Sequence, residues 1–105
     1  MNIIFNRIAA NELRDKYIVL ELEVLRVKEL WLECFCVVDG SKIPADEMPS
    51  LLHYTQLHQS LVSELKLKNY GFCNDVITHL KGKFGGELDS FYQIIQERIA
   101  TRPEV

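Results

Sequence analysis

The chain has 105 residues, 48% of them apolar and 26% charged, and its formal net charge is −3. This is the composition of a single globular domain spanning residues 1–105, and it excludes intrinsic disorder, which goes with fewer apolar residues and a higher net charge. Neither half of the chain is basic enough to hold nucleic acid by electrostatic attraction alone.

The first 38 residues predict mainly β-strands. Two runs, IVLELEVL and WLECFCVV, alternate apolar with other residues, and a period of two with one uniformly apolar face is typical of a strand over a core. The uniformly apolar positions are Ile18, Leu20, Leu22 and Val24 in the first run and Leu30, Leu32, Cys34, Cys36 and Val38 in the second. Residues 3–8 indicate a third strand, and residues 9–16 a turn of helix.

One long helix is the alternative for residues 13–34. Apolar side chains recur there at spacings of four and three, as in a heptad seam. The seam consists of Leu13, Tyr17, Leu20, Val24, Val27, Trp31 and Cys34. We prefer strands because the two runs are rich in β-branched and aromatic residues, which favour sheets.

A loop-rich segment, residues 39–50, separates this part from residues 51–102, which predict three helices. The loop contains two prolines and an Asp-Gly pair, and apolar side chains recur at helical spacing after it. The residues expected to cap, end or separate these helices are Ser50, Gly71, Gly85, Gly86 and Pro103. The predicted fold is therefore α+β, a small antiparallel sheet of about three N-terminal strands packed against three C-terminal helices.

The cysteines do not predict a metal site. Cys34 and Cys36 would point the same way on a strand, which is poor geometry for zinc, and Cys73 and His79 do not share one face of a helix. We expect three buried free thiols and no cofactor. An odd number of cysteines and an N-terminus without the basic and apolar runs of a signal peptide favour a cytoplasmic location and no membrane association.

No sequence motif indicates catalysis. A Ser-His-Asp or Cys-His arrangement cannot be located, and we expect His58 at the edge of the core and His53 and His79 at the surface. We therefore predict a protein that is not an enzyme. A small ligand-binding domain or an enzyme built at a dimer interface is kept as an alternative.

A nucleic-acid-binding regulator is a further alternative, using the helical hairpin of residues 72–101. The segment KGKFGG lacks the order of a phosphate-binding loop, and the helix after it begins with acidic residues where DNA readers place basic ones. Binding would depend on Lys66, Lys68, Lys81 and Lys83. We consider nucleic acid an improbable partner.

The outer face of the sheet is the predicted binding surface. If the uniformly apolar face is buried, an outer strip remains that consists of Tyr17, Val19, Trp31, Phe35 and Val37. Since a sheet covered on one side should be polar on the other, this strip indicates a protein partner or a homodimer, with Tyr17, Trp31 and Phe35 as anchors. The alternative is that helices cover both faces.

The segment NYGFCNDVITHLKGKFGGELDSFYQII, with the turn CVVDGSKIP before it, resembles uncharacterised small proteins encoded by tailed bacteriophages. The resemblance covers about the last two-thirds of the chain and implies a setting, in which small phage proteins bind host or assembly proteins. No residue role follows from it. We therefore predict a non-enzymatic protein–protein interaction module, in the setting of a phage accessory protein that modulates a host factor or assembly.

Overall fold

The computed structural model describes residues 1–101, the side chain of Arg26 excepted, and it shows an α+β fold. A three-stranded antiparallel sheet packs against helices, as the sequence predicts. The elements are β1 (Asn2–Ile4), α1 (Arg7–Leu13), β2 (Ile18–Val27), β3 (Leu30–Val38), α2 (Leu51–Lys66), α3 (Tyr70–Leu80) and α4 (Asp89–Thr101).

The sheet has the order β1-β3-β2, so β3 is central and pairs antiparallel with both neighbours. The prediction of strands is confirmed, and the alternative of one long helix over residues 13–34 is wrong. The chain reverses between β2 and β3 at Lys28, whose φ of 57° lies in the left-handed region. A continuous helix would have to keep right-handed φ/ψ values through this point.

A β-bulge interrupts β2 and changes which side chains face the core. Glu21 pairs with Phe35 but Val24 pairs with Glu33, so β2 contains one extra residue between these two pairs. Because successive side chains of a strand alternate between faces, one extra residue exchanges the faces beyond it. The predicted core face therefore ends at Leu22, and the expectation that Val24 shares it is wrong.

The main core lies between the inner face of the sheet and the helices α2, α3 and α4. Leu20 and Cys36 from the sheet pack with Leu61, Ile77 and Ile95 from the three helices, and all five are almost wholly buried. Alternating strand positions and one stripe of each helix supply these side chains. The result is the predicted layer of helices on one face of the sheet.

Helix α1 covers part of the other face, which was expected to be exposed. Asn6 caps this short helix by accepting hydrogen bonds from the backbone of Ile8 and Ala9. Beneath it, Ala10 packs against Val19 and Phe35 in a second small cluster. The expectation of an exposed strip is therefore wrong at these two strand positions, and helices cover both faces of this part of the sheet.

Two boundaries differ from the expected ones. Helix α1 begins at Arg7, inside the strand predicted over residues 3–8, and β1 ends at Ile4. The turn between α2 and α3 differs as well. Helix α2 ends at Lys66 and Gly71 lies inside α3, because Lys68, with a φ of 61°, reverses the chain instead. Ser50 precedes α2 as expected but makes no capping bond with its side chain in the described structure. The expected end at Pro103 lies outside the described residues.

Within residues 1–101, no helix is both long enough and apolar enough to cross a membrane.

Candidate functional site

The three predicted anchors do not form one surface. Tyr17 precedes β2 and is 37% exposed, whereas Trp31 lies near the β2–β3 turn and is 66% exposed. The strands place the two about 25 Å apart, since about eight residues at about 3.3 Å each separate them along the sheet. Phe35 lies between them with 0% exposure, under α1 and with the guanidinium of Arg7 5.1 Å from its ring centroid. Phe35 is therefore a core residue in this structure and presents no surface to a partner.

Exposed apolar side chains gather instead around the turn of the β2–β3 hairpin. We call this set the hairpin-end surface. It consists of Phe5, Leu25, Val27, Leu30, Trp31 and Ile94. Leu30 is 68% exposed, a large fraction for a leucine within a strand. The bulge contributes to this surface because it turns Leu25 and Val27 toward the face where they pair with Leu32 and Leu30.

An apolar groove runs along the inner side of this surface, with a volume of about 290 Å³. Its walls come from the N-terminal segment, from the sheet beyond the bulge and from α4. Phe5, Leu25 and Ile94 line it together. Arg98 closes one end and forms a bidentate ion pair with Glu23, which raises the pKa of the Arg98 guanidinium. The charges at this rim are thus paired with each other.

A second groove, of about 390 Å³, lies on the outer side beside Trp31. Val24 and Trp31 from the sheet line it together with Val62 and Leu65 from α2. Lys66 at its rim lies 3.7 Å from a carboxylate oxygen of Glu21. Trp31 therefore borders a groove with an apolar floor and a charged rim, which is the setting of many interface anchors.

Arg7 organises the charges on the face that α1 covers. It forms two hydrogen bonds with Glu33 and lies 3.8 Å from Glu21. The hydrogen bond from Arg7 holds the pKa of the Glu33 carboxyl below its usual value. Glu21 and Glu33, which lie between the apolar side chains of the predicted strip, are therefore engaged within the protein. This leaves the apolar side chains as the more available contacts.

A buried polar network joins the sheet to the helices. His58 is wholly buried, with Nδ1 2.9 Å from the Tyr92 hydroxyl and Nε2 2.6 Å from the backbone oxygen of Glu21. A carbonyl oxygen only accepts hydrogen bonds, so Nε2 carries the proton and donates it, and Nδ1 accepts from Tyr92. Burial lowers the pKa of His58 and keeps it neutral. This arrangement supports a structural role for His58.

Two hydrogen bonds from side chains, one of them from His58, protect an edge of the sheet. Strand β2 is an edge strand, and its carbonyl oxygens at Val19 and Glu21 accept hydrogen bonds from the side chains of Arg14 and His58. Unpaired groups at a sheet edge invite association with other chains. These two bonds occupy the edge before the bulge, so the hairpin end beyond it is the more accessible part.

The cysteines are buried free thiols, as the sequence predicts. Burial raises their pKa values, that of Cys36 to about 11, so the reactive thiolate form is suppressed at neutral pH. In the part of the chain that the structure describes, no three His, Cys, Asp or Glu side chains come together as a metal site.

The lysines of the nucleic-acid alternative lie in two separate places. Lys66 and Lys68 lie at the end of α2, whereas Lys81 and Lys83 follow α3, which runs back alongside α2. The eleven residues of α3 separate the two pairs by roughly 16 Å. The four lysines therefore do not line one continuous track for a phosphate backbone.

The sequence signal for the hairpin-end surface is weak. Val24 and Leu25 are adjacent apolar residues and break the alternation of β2, but Ile18 to Leu20 do so as well without a bulge. Comparison with known proteins finds no relative of this chain. No family model, no curated protein and no solved structure matches it.

Proposed function

We propose that this protein is a non-enzymatic protein-binding module and that the hairpin-end surface is its contact with a partner. The observation that carries the proposal is the exposure of two large apolar side chains at the hairpin end, Leu30 at 68% and Trp31 at 66%. Trp31 also lines the outer groove. The six side chains of this surface lie on both faces of the hairpin end and are each 40–68% exposed. Exposed apolar groups of this kind mark interaction sites on soluble proteins.

The chemistry of this surface favours a protein as the partner. Tryptophan is the side chain most enriched among residues that dominate binding energy, and it acts best where neighbours exclude water from its contact. Trp31 has such neighbours in Val62 and Leu65.

The resemblance to small proteins of tailed bacteriophages gives the proposal its setting. In that setting the partner is a host protein or a phage assembly protein. A second copy of this chain is the other partner that the surface fits, since a twofold axis brings the same apolar side chains together.

Two substitutions with a matched control test the proposal. Leu30→Ser and Trp31→Ala remove apolar contact area at the hairpin end, whereas Leu52→Ser changes a leucine on α2 that is 70% exposed and lies outside the hairpin-end surface. Self-association is measured by sedimentation velocity. Partner retention is measured by pull-down from a nuclease-treated bacterial lysate, with far-UV circular dichroism to show that each variant is folded.

We expect wild type and Leu52→Ser to bind alike, and Leu30→Ser and Trp31→Ala to lose binding. Since truncating an interface anchor costs about 2 kcal/mol or more, the loss should be at least about thirtyfold in affinity. Equal binding by all four proteins would show that the hairpin end is not the contact. Equal loss in Leu52→Ser would indicate nonspecific apolar adsorption.

A further inference from the structure

A cleft between α2 and the segment after α3 has a chemistry different from that of the hairpin-end surface. Its volume is about 590 Å³. It is lined by His53, Tyr54, Leu57, Thr78, His79, Lys81 and Lys83. It lies toward the start of α2, whereas the Trp31 groove contacts the end of that helix, so the two sites are separate.

Basic groups dominate the charge of this cleft. His53, His79, Lys81 and Lys83 all border it, and within residues 1–101 no carboxylate is among its lining side chains. These basic side chains are concentrated in one cleft although the net charge of the protein is −3. A cleft lined by one sign of charge focuses the field and attracts ligands of the opposite sign.

The nearby carboxylates are engaged with the backbone of the same segment. Asp89 Oδ1 accepts a hydrogen bond of 2.8 Å from the amide of Gly82, and Glu47 Oε2 accepts one of 2.8 Å from the amide of Phe84. These bonds hold the loop that carries Lys81 and Lys83. The two carboxylates therefore position the basic loop, although their charge also reduces the field around it.

The floor of the cleft offers apolar and aromatic contact. Tyr54 and Leu57 form it, and the ring centroids of His53 and Tyr54 are 5.8 Å apart. Lys83 Nζ lies 5.0 Å from the Tyr54 ring centroid, a cation–π contact that limits the freedom of this side chain before a ligand arrives. The start of α2 carries a partial positive charge and the end of α3 a partial negative one, so the two helix dipoles oppose each other at the cleft. The sign of the electrostatic potential there is therefore set by the charged side chains.

We propose that this cleft binds a small phosphorylated ligand of nucleotide size. The phosphates contact Lys81, Lys83 and His79, and the ring system of the ligand lies against Tyr54 and Leu57. The volume falls within the range of about 300–1,000 Å³ that small-molecule sites occupy. Several basic groups around one opening suit the multiple charges and oxygens of phosphate better than a single carboxylate, and lysine binds phosphate as a point charge.

The test is a titration followed by amide chemical shifts in ¹⁵N-labelled protein, with ADP, pyrophosphate, adenosine and a short single-stranded oligonucleotide as probes. We expect saturable shifts from ADP and pyrophosphate at residues 53–57 and 78–83, with an ADP dissociation constant of about 1 mM or tighter, and none from adenosine. Lys81→Gln/Lys83→Gln should weaken ADP binding at least about tenfold, the equivalent of one lost charged contact. Lys66→Gln/Lys68→Gln is the matched control and should bind as wild type does.

Four results would overturn the inference. The first is an absence of saturable shifts up to about 10 mM ADP, a concentration well above the expected dissociation constant. The second is equal weakening by both lysine pairs, which indicates diffuse electrostatics. The third is adenosine binding as well as ADP does, which indicates an apolar site. The fourth is an oligonucleotide that binds more tightly than ADP and shifts the amides of both lysine pairs.

Discussion

Replacing His58 by leucine tests how much the buried network contributes to stability. The substitution introduces an apolar side chain of similar volume and removes the donor to the Glu21 carbonyl and the acceptor for the Tyr92 hydroxyl. Leaving a buried polar group without a partner costs about 1–3 kcal/mol. With two such groups, we expect His58→Leu to lower the free energy of unfolding by about 3 kcal/mol, after the gain from burying leucine.

Tyr92→Phe provides the second side of a double-mutant cycle. Alone, it leaves only Nδ1 of His58 without its donor and should cost about 1–2 kcal/mol. In the double variant neither the Tyr92 hydroxyl nor Nδ1 of His58 exists, so two of the three groups that the single changes leave without a partner are absent and only the Glu21 carbonyl remains. The double variant should therefore be more stable than the sum of the two single changes predicts, by about 2–3 kcal/mol.

The pH dependence of stability provides an independent measurement. Burial lowers the pKa of His58 in the folded protein, from the value of 6.5 for an ordinary histidine. Below that pH the unfolded chain binds a proton that the folded protein does not bind. The free energy of unfolding therefore falls as the pH falls from about 6.5 toward the folded pKa, by up to about 1.4 kcal/mol per pH unit, and this group adds no dependence above that window.

Urea unfolding followed by far-UV circular dichroism at about pH 7.5 and about pH 5.5 measures both effects. Wild type should lose stability at the lower pH, and His58→Leu should lose much less. His53→Gln, which changes an exposed histidine, is the control and should behave as wild type does. Single-variant effects that add within about 0.5 kcal/mol, or a wild-type stability equal at both pH values, would refute the reasoning.

Two further predictions concern the backbone and the thiols. Gly85→Ala should cost more than about 3 kcal/mol in the same unfolding assay, because φ is +64° and the new Cβ would lie 2.1 Å from the carbonyl oxygen of Lys42. Gly82→Ala has a φ of +82° but open space around its Cβ and should cost only about 1–2 kcal/mol, so equal costs would argue against the contact. Cys36, buried and with its pKa raised to about 11, should resist alkylation at neutral pH until urea unfolds the protein, and prompt labelling of native protein would contradict its burial.

The sequence by itself determined the element types and most of the core. The alternating runs predict β2 and β3, and β-branched and aromatic residues correctly favour strands over the heptad seam. The inner positions Leu20 and Cys36 and the burial of the thiols also follow from local pattern. These features are predictable because apolar residues repeat every two positions on the buried face of a strand and every 3.6 on that of a helix. This pattern depends only on neighbouring residues in the sequence.

Only the tertiary structure decided which surfaces stay open and which distant residues meet. Periodicity shows that Phe35 belongs to an apolar face, but α1, which covers it, is placed by packing between segments far apart in sequence. The bulge before Val24 depends likewise on pairing with β3. His53 and His79 appear separate in the chain and share one basic cleft because α2 and α3 run side by side. Contacts of this kind depend on how whole elements dock, and no local spacing of residues encodes that.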